Sequence, residues 1–173
     1  IIRLDKDEVA ELISAVESGC SLTPKQLASH QKIKYRDTAI LTLLLGTGIR
    51  VSECVGLDVA DISFKNNCMR VVRKGGNEST VYFGKEVSEA LLDYLELERP
   101  SLAKQAPPDQ TNALFLSLKY NRLTTRSVEK LVKKYTGAAN INKKITPHKL
   151  RSTYGTNLYK ETGDIYLVAD ALG

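Results

Sequence analysis

Several absences narrow the field first. The 173-residue chain holds no run near the ~18 consecutive apolar residues of a membrane-spanning helix. Its opening, Ile1-Ile2-Arg3-Leu4-Asp5-Lys6-Asp7-Glu8, does not read as a signal peptide. Only three cysteines occur (Cys20, Cys54, Cys68), widely spaced, with no C-x-x-C and no Cys/His cluster. One thiol is left over from any pairing, so reduced structural thiols in a cytoplasmic protein are expected and a zinc site is not. No Walker loop and no G-x-G-x-x-G is present, which argues against a nucleotide cofactor. There are no internal repeats and no low-complexity tracts.

What is present is an ordinary core and an uneven charge. The chain is 42% hydrophobic and 26% charged, enough for one globular domain spanning 1–173. Net charge is +5. From Lys119 onward there are eleven Lys or Arg against four Asp or Glu, so that part carries +7 and the rest −2. A basic third on a nearly neutral body suits a polyanion partner, although a solvated basic helix face has the same composition.

The pattern predicts an α+β protein, mainly α. Asp5 and Glu8 have capping-box spacing ahead of the stripe Val9, Leu12, Ile13, Val16, with Gly19 as the stop. Thr23-Pro24 opens a second helical stretch. Tyr35, Ala39, Ile40, Leu43 and Leu44 mark a buried helix ending at Gly46-Thr47-Gly48, with a short helix following around Ser52 to Leu57. Asp61 to Phe64, Met69 to Val72 and Ser79 to Phe83 are strand candidates separated by turn compositions, a small three-stranded antiparallel β-meander. Val87, Leu91, Leu92 and Leu95 pattern as a helix. Pro100 to Thr111 reads as a surface loop, and Ala113 to Leu116 as a short apolar run. Thr125 is expected to cap a further helix and Thr146-Pro147 to start another, which ends at Gly163. A last helix is expected from Asp164 into Ala171-Leu172-Gly173. A chain that stops inside an apolar stretch is expected to continue in the natural protein.

Three spots combine basic side chains with punctuated backbone. In Gly46-Thr47-Gly48-Ile49-Arg50-Val51-Ser52-Glu53, Arg50 sits at a helix entry, where its guanidinium can fork a phosphate or pair with Glu53 three residues on. Lys74, in Lys74-Gly75-Gly76-Asn77, is an exposed turn lysine or a proton donor on a hairpin tip. In Thr146-Pro147-His148-Lys149-Leu150-Arg151, His148 and Arg151 share one helix face, as a phosphate-binding pair or as ordinary surface residues.

In this order the strings Leu43–Glu53, Lys74–Asn77 and Thr146–Tyr154 resemble the tyrosine recombinase (phage integrase) family, and Ala171-Leu172-Gly173 resembles its L-G-H segment cut before the His. The resemblance covers nearly the whole chain. It implies a site-specific recombinase or integrase catalytic domain, whether of a phage, a mobile element or a chromosomal resolution system. Such enzymes cut and rejoin double-stranded DNA without metal or cofactor, through a 3′-phosphotyrosine intermediate. It implies that Arg50 and Arg151 hold the scissile phosphate, Lys74 is the general acid for the 5′ oxygen, His148 assists at the phosphate, and Glu53 orients the site from behind. It further implies a tetramer on DNA, a monomer in isolation and association with the nucleoid.

Departures accompany the likeness. The second His (or Trp) and the nucleophilic Tyr would follow Gly173, and the usual N-terminal core-binding domain is not in this sequence. Ser152 and Gly155 stand where many relatives carry His and Ala. Of the eight tyrosines, Tyr154 and Tyr166 read as core or boundary residues, and Tyr159 is a poor substitute nucleophile. The chain alone is therefore expected to bind DNA weakly and not cut it. Two alternatives stay open: a type IB topoisomerase-like enzyme, and a DNA-binding accessory module without catalysis.

Overall fold

The computed structural model describes residues 3–162. The expected helix end at Gly163, the last helix from Asp164 and the closing Ala171-Leu172-Gly173 lie outside them, as do Tyr166 and the side chain of Tyr159.

Seven helices and three strands follow one another as α1 (Lys6–Ser18), α2 (Pro24–Thr47), α3 (Val51–Val55), β1 (Ile62–Ser63), β2 (Cys68–Val72), β3 (Glu78–Tyr82), α4 (Lys85–Leu97), α5 (Arg99–Ala103), α6 (Thr125–Ala138) and α7 (Pro147–Thr162), among the described residues. The mainly helical α+β architecture with a three-stranded antiparallel meander, ordered β1-β2-β3, is the one expected. None of the described helices is long and apolar enough to cross a membrane.

The helix ends form where the sequence puts capping chemistry. Asp5 Oδ1 accepts from the Glu8 amide at 2.8 Å and Glu8 Oε1 from the Asp5 amide at 3.1 Å, closing the capping box of α1. Gly19 ends that helix at φ 70°, and a Cβ there would meet the His30 ring at 2.8 Å. Thr23 and Gln26 cap α2 in the same reciprocal way.

α2 is the central element, packing on α1, α4 and α7. Its Ala39, Ile40, Leu41 and Leu43 are completely buried. It is not one regular helix. Ile33 departs to φ −135°, ψ 15°, so the stretch from Lys34 onward starts like a new helix with unbonded amides. The Glu98 carboxylate, from between α4 and α5, accepts from the amides of Tyr35 and Arg36, both at 2.8 Å. It acts as a cap supplied by a distant part of the chain. Burial pushes the Glu98 carboxyl above the ordinary range despite these two bonds. Next to it, Arg36 pairs with Asp37 at 2.8 Å, and the Tyr135 hydroxyl donates to Asp37 at 2.7 Å.

The sheet alternates as a half-buried sheet must. Met69, Val71 and Val81 face the core, while Arg70, Val72 and Tyr82 face solvent. Met69 pairs with Ile62 on one side and Val81 on the other. The β1 candidate Asp61–Phe64 shortens to two residues, because Asp61 closes a tight turn from Val59.

Two expectations need correction. Pro100 to Thr111 is not all loop: α5 occupies Arg99–Ala103, with Pro100 in its first turn and Leu102 buried. The cap of α6 is Thr124, whose side chain accepts from the Ser127 amide, and Thr125 is its first helical residue. The apolar run Ala113–Leu116 is buried and pairs only through isolated bridges. Distant side chains satisfy its carbonyls: Arg99 donates to Ala113 and Leu114, and the Tyr94 hydroxyl to Leu114 at 2.8 Å. Burial raises the Tyr94 pKa to about 12.

If the Glu98 cap permits the bend, Glu98→Ala should lower unfolding free energy by about 3 kcal/mol, since two bonds to a largely buried charge are lost. Glu98→Gln, which keeps one acceptor oxygen, should cost less than half of that. Urea denaturation measures both, and equal midpoints for Glu98→Ala and the parent would refute this role.

Candidate functional site

The site assembles where α2 ends. Gly48 adopts φ 69° and donates its amide to the Leu44 carbonyl, which turns the chain sharply out of the helix. Ile49 is buried beside it and fixes the exit. Arg50 is then the residue before α3, exposed at its head (46%). Glu53, on the first turn of α3, is buried. Its Oε1 accepts from the Arg50 amide at 2.8 Å, and its Oε2 lies 3.4 Å from Arg50 Nη1. The pairing with Glu53 and an exposed Arg50 fork thus coexist: one carboxylate steadies a guanidinium whose face stays open.

The far end of α3 is held as well. Arg122 Nη1 donates to the carbonyls of Val55 and Leu57, both at 2.9 Å, and its Nη2 pairs with Asp58. These bonds satisfy carbonyls that a five-residue helix leaves over.

Arg151 reaches the same place from α7. Leu150 is buried and anchors the first turn, and the Thr153 hydroxyl, also buried, accepts from the Leu4 amide at 3.1 Å. So held, Arg151 Nη1 donates to the Gly48 carbonyl at 2.7 Å. Burial lowers its pKa first. Repulsion from Arg50 and Arg73 lowers it further, and Glu53 opposes them. Three guanidinium groups therefore share one field with one carboxylate. Arginine stays protonated throughout, so the fold holds three like charges close together.

Arg73, which closes β2, was not among the expected residues. Its Nη1 lies 3.4 Å from both oxygens of Glu53, and its side chain is 11% exposed. A sequence signal existed. Period-2 alternation from Met69 and Val71 puts residue 73 on the buried face, where a charge demands a partner.

Lys74 follows immediately, on the turn Lys74–Gly76 between β2 and β3. Gly75 and Gly76 take φ 82° and 81°, which glycine adopts without strain. Lys74 is exposed, as is His148 one turn before Arg151 on α7. The structure thus brings Arg50, Glu53 and Arg151 together, with Arg73 added. It sets Lys74 and His148 next to that cluster in the chain but gives their side chains no bond to it.

A groove of about 690 Å³ between α1, α2 and α4 contains none of these residues. Its lining sets Glu17, Glu86, Glu89 and Asp93 against Lys34, a net negative charge that is wrong for a phosphate.

Comparison with known proteins gives a consistent answer. The Phage integrase family model matches residues 2–173. Tyrosine recombinase XerD of Staphylococcus epidermidis is 41% identical over 139 residues, covering 80% of this chain and 46% of that protein. Tyrosine recombinase XerD of Corynebacterium glutamicum is 35% identical over 170 residues, covering 98% and 52%. The chain spans about half the length of the curated relatives it matches. Among solved structures, the XerA recombinase superposes with a TM-score of 0.80 at 29% identity, over 100% of this chain and 56% of the other. The XerH site-specific recombinase bound to its difH substrate gives 0.78 at 22% identity, over 99% and 46%, a likeness of fold.

Glu53→Ala removes the carboxylate that two guanidinium groups share and should cost about 3 kcal/mol of stability. Glu53→Gln keeps an acceptor for the Arg50 amide and should cost less than about 1.5 kcal/mol. Thermal and urea unfolding of the two variants test this, and indistinguishable losses would show that the charge cluster does not depend on the carboxylate.

Proposed function

The chain belongs to the phage integrase family, the tyrosine recombinases, and from that premise we propose that it is the catalytic part of a site-specific recombinase acting on double-stranded DNA. The observation that carries the reading is the convergence of Arg50, after α2, and Arg151, from α7, around Glu53.

In this reading a tyrosine hydroxyl attacks the scissile phosphorus and the P–O5′ bond breaks. The bond's electron pair goes to the 5′ oxygen, and Lys74 delivers a proton to it. A 3′-phosphotyrosine link results, which a 5′ hydroxyl of another strand reverses with exchange of partners. Arg50 and Arg151 offset the charge that gathers on the non-bridging oxygens. Their pre-set geometry avoids reorganisation at the moment of reaction. His148, on the face of α7 that carries Arg151, accepts or returns the nucleophile's proton at the same phosphate. Glu53 holds Arg50 in place and is not itself at the reacting atoms. The full-length protein would work as a tetramer on DNA, and as a monomer without it.

Full-length protein containing this chain, incubated with nicked duplexes of randomised sequence, should become covalently linked to a subset of them. Arg151→Ala should slow this capture by about 10³-fold. Its affinity for the selected duplex should fall less than about tenfold, because many phosphate contacts share the binding. Affinity should also drop steeply with salt. Binding without any capture would favour the accessory module. Relaxation of supercoiled plasmid without preference for sequence would favour the topoisomerase-like enzyme.

A further inference from the structure

We propose that Arg73 is a positioning residue for proton transfer, tying the turn that carries Lys74 to the carboxylate that also holds Arg50. The inference rests on the recombinase reading above, and it concerns a residue to which neither the sequence motifs nor the family likeness assigns a part.

Three observations carry it. First, Arg73 is nearly buried and addresses both oxygens of Glu53, so its charge is already engaged and turned away from solvent, unlike Arg50. It is poorly placed to grip a phosphate and well placed to brace something that does. Second, its backbone closes the turn. The Arg73 amide donates to Asn77 O at 2.6 Å, and its carbonyl accepts from Gly76 at 3.0 Å. The side chain and the main chain of one residue thereby connect α3 to the base of the Lys74 loop. Third, the tip of the loop is glycine and open to solvent. Gly75 and Gly76 have open space where a Cβ would be, and residues 74 to 78 are exposed. A two-glycine tip samples many conformations unless its base is fixed.

The consequence is a shared reference point. Glu53 accepts from Arg50 on one side and Arg73 on the other, so the phosphate fork and the root of the proton donor are set by one carboxylate. Proton delivery to the leaving oxygen requires the ammonium to arrive within hydrogen-bond reach as the P–O5′ bond breaks. Releasing Arg73 loosens the lysine's root while leaving Arg50 and Arg151 in place.

The leaving atom distinguishes this role from a merely structural one. A 5′ thiolate departs without needing a proton, so a defect in proton delivery vanishes when sulfur replaces the bridging 5′ oxygen. A defect in phosphate grip or folding persists. The test uses full-length protein and a duplex recovered by covalent capture, made with oxygen or sulfur at that position. Arg73→Gln should slow formation of the covalent complex by about 10²-fold on the oxygen duplex and by less than about threefold on the sulfur duplex. Arg73→Lys, which keeps a charge facing Glu53, should recover at least about tenfold of the loss on the oxygen duplex. Equal slowing on both duplexes would overturn the proposal, as would unchanged cleavage of the oxygen duplex. Failure of the unsubstituted protein to capture either duplex would instead overturn the recombinase reading beneath it.

Discussion

The Glu98 carboxylate, bonded to the amides of Tyr35 and Arg36, is the contact on which the arrangement of this molecule depends. It allows α2 to break at Ile33 and restart without leaving buried donors unsatisfied. The restarted half then runs through the core and delivers Gly48 and Arg50 at its end. Asp37, one turn in, meets the hydroxyl of Tyr135 on α6 and the guanidinium of Arg36, which in turn donates to the Leu116 carbonyl. Four separate parts of the chain are registered against one bend. Burial raises the Tyr135 pKa far above its usual value, with the Asp37 charge adding to it, so that hydroxyl is a fixed donor and no candidate nucleophile.

The candidate site uses the same device, a buried carboxylate, on a different kind of donor. At the bend, one carboxylate satisfies backbone donors in the interior. At the site, one carboxylate restrains guanidinium groups that would otherwise repel one another. Glu53 lies against both Arg50 and Arg73, and Arg151 stands in the same field. The cost of holding like charges close has been met in advance by the folding of α2, α3, β2 and α7 around them.

Much of this was legible in the sequence because it is written in short-range chemistry. Asp5 with Glu8 and Thr23 with Gln26 announce their helices by spacing alone, and the strands announce themselves by alternation. The short helix α5 was missed because prolines were read as loop markers, although Pro100 sits where a helix tolerates it. The break at Ile33 was not readable, since no Gly or Pro marks it. Its cause is Glu98, about sixty residues away in sequence. Arg73 was overlooked for a different reason. Beside Lys74 it looks like a second surface cation, yet strand parity turns it inward and leaves apolar Val72 53% exposed. Charge type suggested one face, and register decided the other.

Register and burial also change the meaning of the net charge. Several cations in the basic third hold the fold together. Arg122 caps α3, and Lys143 pairs with Glu8 at 2.6 Å while donating to the Arg3 carbonyl. Lys134 is half-buried against the Tyr135 ring. Arg126, Lys130 and Lys133 remain exposed along one side of α6. A count of eleven basic residues therefore overstates the surface available to a polyanion. The fold gathers a smaller set, Arg50, Arg73 and Arg151, around the end of α2, and position rather than number gives that set its meaning.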